Sequence, residues 1–219
     1  MASTTIDTET ELSAVNSVLG AIGQSPITQL KDPDTGTISN ANPEVQFIYN
    51  LLRDANIEVQ NEGWHFNVEK HVKYVPDSNN KIEIGTDILK IDVHDGWHKR
   101  DYNVIKRYES SDGKTYLYDK YDHTNLWDDV SELYLDIIRL IPFEGLPSVF
   151  QRHIIARTSR VAATQLVANP QLVQLLAQQE QLTRAACVEY ECNQGNHSMF
   201  GFPEDTVYST YQPWRNLRR

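Results

Sequence analysis

The sequence predicts an α+β chain: a four-helix bundle-like body with an inserted antiparallel β domain. Three observations carry this. Apolar residues at Val45, Ile48, Leu52, Ala55 and Val59 recur at the spacing of one helix face. That pattern stops at Gly63, and Trp64, Phe66 and Val68 then alternate with His65, Asn67 and Glu69, the spacing of a strand. Helical periodicity resumes beyond Leu146, so β-type sequence lies between two helical stretches.

The elements follow in order. Thr8-x-x-Glu11 reads as a capping box for a first helix with Leu12, Val15, Leu19 and Ile22 on one face, stopped by Gly23 and Pro26. Lys31–Asn40 is a polar loop rich in turn formers. Asn42-Pro43 opens the second helix, Asn as N-cap and Pro at the first helical position. Gly63 is placed to end it in a left-handed conformation. Candidate strands are Trp64–Val75, Lys81–Ile84, Leu89–Val93, Asn103–Tyr108, Thr115–Tyr121 and Leu133–Leu140, separated by turn signals such as Asp95-Gly96 and Asp112-Gly113. They suit an antiparallel meander or small barrel-like sheet. A third helix is expected over about Pro147–Val167, with Phe150, Ile154, Val161 and Leu166 apolar. A second Asn-Pro pair, Asn169-Pro170, separates it from a fourth over about Pro170–Cys192, with Leu172, Leu175, Leu176, Leu182 and Ala186 apolar.

The domain organisation predicted from this pattern is a first helix pair over 1–63, the inserted β domain over 64–145, a second helix pair over 146–195 and an extended C-terminal tail over 196–219. The tail is unlike the rest. It has little periodicity but carries Phe200, Phe202, Tyr208, Tyr211, Trp214 and Arg215. Solvated disordered segments are poor in aromatics, so these residues are expected to lie on another surface, their own or a neighbour's.

The chain has 219 residues and 40% hydrophobic content, enough for a real core. Mean hydropathy is −0.51, and no apolar run approaches the roughly 18–20 residues that span a bilayer. The N-terminal sequence shows neither the basic nor the apolar region of a signal peptide. Cys187 and Cys192 fall in one predicted helix, five residues apart, on different sides of it, so no disulfide is expected between them. Net charge is −10, from 30 acids against 20 bases, the opposite of a protein that grips nucleic acid phosphates.

No phosphate-binding loop, nucleophile elbow or zinc motif is present. His94 and His98 have the i, i+4 spacing of a helical metal pair, but the intervening Asp95-Gly96 is a turn signal and favours exposed turn histidines. Asp128, Asp129, Glu132, Asp136 and Glu144 could supply the two carboxyls of a glycan hydrolase, though such neighbours arise by chance in an acidic chain. Arg152, Arg157 and Arg160 in the third helix, with Arg184 in the fourth, form the densest basic group outside the tail. They read either as surface ion pairs with fourth-helix acids such as Glu180 and Glu189 or as a subunit contact. Trp64 and Phe66 read as core filling at the sheet edge.

Four segments occur in order along the chain: ELSAVNSVLGAIGQSPI (Glu11–Ile27), GWHFNVE (Gly63–Glu69), LPSVFQRHIIARTSR (Leu146–Arg160) and ACVEYE (Ala186–Glu191). Together they resemble the tail tubular protein A family of short-tailed bacterial viruses, from about Glu11 to Gly195. The resemblance implies a virion structural protein with a helical bundle and a β insertion. It implies a homo-oligomeric ring of twelve copies, an adaptor between the portal protein and a tail nozzle protein of the tail tubular protein B type. Such a ring helps retain packaged DNA and forms part of the ejection conduit. It further implies assembly in the host bacterial cytoplasm into the virion tail, a possible tail fibre contact, no membrane, and no cofactor or metal. The acidic balance suits a wall that DNA passes without specific binding. The sequence-level alternatives are a virion-associated glycan hydrolase using the carboxylates above, and a binding module whose Tyr-rich sheet (Tyr116, Tyr118, Tyr121) grips a glycan or a partner protein.

Overall fold

The computed structural model describes residues 9–31, 42–94 and 102–194. Within them lie four α-helices and two antiparallel sheets. Helix α1 (Glu11–Ala21) is capped by Thr10, whose side-chain oxygen accepts the Ser13 N–H at 3.2 Å. The predicted Thr8–Glu11 box is therefore not the cap seen; Thr8 lies outside the described residues. Gly23 ends the helix at φ +81, and the Gln24 N–H returns to the Leu19 carbonyl at 2.8 Å.

Helix α2 (Pro43–Asn61) starts as predicted, with the Asn42 side chain accepting the Glu44 N–H at 3.0 Å and Pro43 in the first turn. Its five stripe residues are all buried. Helix α3 (Ser148–Ala162) stops five residues short of the predicted end and widens into a π-helical turn over Ala163–Val167. Asn169 precedes a proline and is driven out of helical geometry. Ala168 turns left-handed at φ +53, and its N–H reaches the Ala163 carbonyl at 3.0 Å. Asn169 then caps helix α4 (Pro170–Gln194) by accepting the Gln171 N–H at 3.0 Å.

Helix α3 is the hub, packed against α1, α2 and α4. The helical core gathers Val15, Leu19, Ile48, Leu52, Val59, Phe150 and Ile154. Trp64, Phe143 and Leu146 join it from the segments that lead into and out of the sheet. A second core, built on Ile82, Ile84, Val104, Leu117, Trp127, Leu133, Leu135 and Ile137, fills the β region.

The sheet is not the predicted meander or barrel. Strands β1 (Val68–Tyr74), β2 (Ile88–Val93) and β5 (Leu133–Arg139) form one sheet in the order β1-β5-β2. Strands β3 (Val104–Glu109) and β4 (Lys114–Asp119) form a separate hairpin. The last strand takes the centre because it is the most apolar: Leu133, Leu135 and Ile137 are all buried, whereas β1 is polar along most of its length. Two strand predictions also change. Trp64–Asn67 is a turn, with the N–H groups of Asn67 and Val68 both on the Trp64 carbonyl (3.0 and 3.1 Å), so β1 begins at Val68. Lys81–Ile84 makes only a bridge, Glu83 to Tyr116.

Candidate interaction surface

The seam between helices and sheet is built from side-chain hydrogen bonds. Gly63 has φ +80, the left-handed conformation expected of it, and a Cβ there would stand 2.8 Å from Ile138 Cδ1. The turn that follows sends Trp64 and Phe66 into the helical core rather than along a sheet edge. Both rings pack on Phe150, with centroids 4.8 and 4.6 Å away, and Trp64 Nε1 donates to the Val59 carbonyl at 2.7 Å. Two buried amides lock the junction. Gln60 donates to the Ile141 carbonyl and accepts the Ile141 N–H, each at 2.8 Å. Asn67 accepts the Trp64 N–H at 2.8 Å and donates to the Gln60 carbonyl at 2.9 Å. Helix α4 closes the same point: Glu191 accepts the His65 N–H at 2.9 Å, and the Tyr190 ring stands edge-on to Phe150 at 5.8 Å. Three of the four ordered segments thus meet around Phe150.

The basic group of α3 and α4 divides. Arg157 pairs with Glu58 at 2.5 Å, Arg160 with Glu180, and Arg184 with Glu62 at 2.5 Å. Arg184 also lies over the Trp64 ring at 4.8 Å. Arg157 and Arg160 are therefore occupied within the chain, and Arg152 is exposed. The paired arginines border a surface cavity of about 530 Å³ together with His153. His153 is 2% exposed, and its Nδ1 lies 3.0 Å from Thr183 Oγ1. The Thr183 hydroxyl donates to the Glu180 carbonyl, so Nδ1 carries the histidine proton and Nε2 is left without a partner. Burial, reinforced by the Arg184 charge, holds the His153 pKa below its ordinary value.

Among the described residues, helix α4 carries two of the three most exposed large hydrophobic side chains. Of its 25 residues only Leu176 and Cys187 are buried. Leu175 is 64% and Leu182 is 74% exposed, and Ala186 beyond them is exposed too. These three lie along one line of the helix, at i, i+7 and i+11. The predicted α4 stripe is thus only partly a core face. The cysteines are free as expected; burial raises the Cys187 thiol to about 11, and Cys192 is exposed.

The five carboxylates considered for glycan cleavage are not gathered in one cavity. Asp128 and Asp129 line one small cavity, with Asp128 held by Asn80. Glu132 lies on Lys73, whose hydrogen bond lowers its pKa, and Asp136 binds His94 Nδ1 at 2.5 Å and the His71 N–H at 3.0 Å. Glu144 is exposed at the other end of the sheet, in a short 3₁₀ turn. His94 is thus half-buried and carboxylate-bound rather than free on a turn; His98 lies outside the described residues. Among the described residues no group of His, Cys, Asp and Glu could hold a metal ion. No described helix is long and apolar enough to cross a membrane. Phe200, Phe202, Tyr208, Tyr211, Trp214 and Arg215 lie outside the described residues.

The described residues thus form a helical body with a β insertion, and α4 presents exposed leucines on its outer side. The family model of tail tubular proteins matches residues 12–197, and the chain belongs to that family. It is a structural protein of the bacteriophage virion tail. No curated protein matches the chain.

Proposed function

We propose that the chain assembles into a homo-oligomeric ring that serves as the adaptor between the portal protein and the tail nozzle protein. The observation that supports this is the line of Leu175, Leu182 and Ala186 on α4, exposed among the described residues. Exposed leucines on a helix that is otherwise anchored are the surface a neighbour covers. A closed ring joins two different patches on each subunit, so the α4 line needs a complementary patch elsewhere on the next copy. Arg152, exposed on α3, is the arginine of the basic group best placed to add to such a contact. The aromatic residues from Phe200 to Trp214, with Arg215, are proposed as a further contact on a neighbouring subunit or the portal. Twelve copies, the link to a tail fibre and assembly in the host cytoplasm are proposed on the family resemblance alone.

In this reading the helical stretches 1–63 and 146–195 form one working unit, 64–145 the inserted β domain and 196–219 a docking tail. The ring lines part of the ejection conduit and helps retain packaged DNA, and the net charge of −10 keeps DNA from adhering to it. Catalysis has no part in it. Electron microscopy of the purified chain, alone and mixed with portal and nozzle proteins, tests the reading. Rings that join the two partners are expected. A chain that stays monomeric with both present, or a strongly positive lumen in the assembled ring, contradicts it.

A further inference from the structure

The β3–β4 hairpin has an outward face that neither core uses. The turn after β4 folds back through a bridge between Asp119 and Thr124 and borders a half-open cavity of about 410 Å³, within the size range of small-molecule sites. Arg107 stands on this face. Its guanidinium carbon lies 4.7 Å from the Tyr118 ring centroid, a cation–π contact that holds the group beside the cavity. The neighbouring cations are neutralised: Lys81 pairs with Glu109 at 2.9 Å, and Lys114 with Glu83 at 2.6 Å. Arg107 has no carboxylate partner among the described residues. Glu109, the one acid lining the cavity, is held by Lys81 and by the Asn125 side chain at 3.2 Å, so it does not compete for Arg107.

A planar guanidinium with its edges free is the group that takes a carboxylate in two parallel hydrogen bonds. Around it the cavity offers His123, Thr124 and Asn125. The Thr124 hydroxyl accepts the Leu126 N–H at 3.1 Å, which leaves its own proton to donate. A ligand that satisfies this set carries one carboxylate and several hydroxyls. An acidic peptide side chain would meet Arg107 and leave the polar rim unmatched. We propose that this cavity binds an acidic saccharide of the hexuronate class, with the carboxylate on Arg107 and the hydroxyls on the Thr124–Asn125 rim. This reading is independent of ring formation. The overall charge of −10 opposes non-specific capture of such a ligand, so binding has to come from the local site.

Calorimetric titration of the full chain with trigalacturonate tests it, with maltotriose and hexaglutamate as the other arms. Trigalacturonate is expected to bind at least about tenfold more tightly than either, and Arg107→Ala to weaken it about tenfold or more, with no change in melting temperature. Arg107→Lys is expected not to restore binding, because an ammonium cannot form the paired contact. Thr124→Val, which leaves Arg107 in place, should weaken the same titration. Absence of trigalacturonate binding, equal binding by Arg107→Ala, or tighter binding of hexaglutamate would each overturn the proposal.

Discussion

Helices α2 and α4 are the two longest among the described residues and are used in opposite ways. Over 19 residues α2 buries Val45, Ile48, Tyr49, Leu52, Ala55, Val59 and Gln60. Over 25 residues α4 buries only Leu176 and Cys187. One is interior scaffolding. The other is fastened along one side, through α3 and the contacts of Tyr190 and Glu191, and presents leucines to solvent on another. Each exposed leucine forgoes about 1–2 kcal/mol of burial that a partner could supply, since part of each side chain is already covered. Among the described residues the fold closes its cores without the outer face of α4, which is why that face is proposed as the part an assembly covers.

The comparison breaks first at the shared anchor. Phe150→Ala removes the ring on which Trp64, Phe66 and Tyr190 converge. It should cost about 3–5 kcal/mol in urea unfolding; a loss under about 1 kcal/mol would mean the three signatures do not depend on one another. Gly63→Val comes next, at about 2 kcal/mol or more, because it combines a left-handed backbone with a 2.8 Å approach to Ile138 Cδ1. An unchanged melting temperature would sink the reading of the seam.

A smaller effect separates the buried side of α3 from the surface by pH. His153 has a lowered pKa when folded, so below its ordinary value of 6.5 the unfolded chain binds the extra proton. Its contribution to stability is therefore fully present above about pH 6.5 and is lost as pH falls below it. His153→Gln should flatten that part of the stability profile, and an identical slope in both proteins would count against it. Smallest of all, Leu182→Ser should change the stability of the isolated chain by no more than about 0.5 kcal/mol, as surface substitutions do.

The parts of the fold set by local chemistry were legible in the sequence. The Asn-Pro pairs at 42–43 and 169–170 do cap helices, Gly63 is left-handed, and the α2 stripe is buried, because capping, backbone freedom and helical spacing act over a few residues. Long-range choices were not. The alternation of Trp64, Phe66 and Val68 imitates a strand, but the aromatic pocket at Phe150 draws the first two into the helical core. Nothing local says that β5 inserts between β1 and β2. Gln60 and Asn67, the amides that lock the seam, carry no sequence signal beyond their polarity beside apolar neighbours. The α3 arginines show why residue type alone underdetermines a site: the sequence leaves ion pairing and subunit contact open, and the fold pairs Arg160 with Glu180, an acid named for that role, but Arg157 with Glu58, 99 residues away in the chain. Periodicity marks Leu175 and Leu182 as apolar-face residues without saying whose core they face.

The most direct test of that last point is the assembled mass of the wild-type chain and of a Leu175→Glu, Leu182→Glu double variant, measured by native mass spectrometry alongside their melting temperatures. The account predicts a ring for the wild type, monomers for the variant, and closely similar melting of the monomeric fold. A variant that still forms rings of the same mass would show that the outer face of α4 is not the subunit contact.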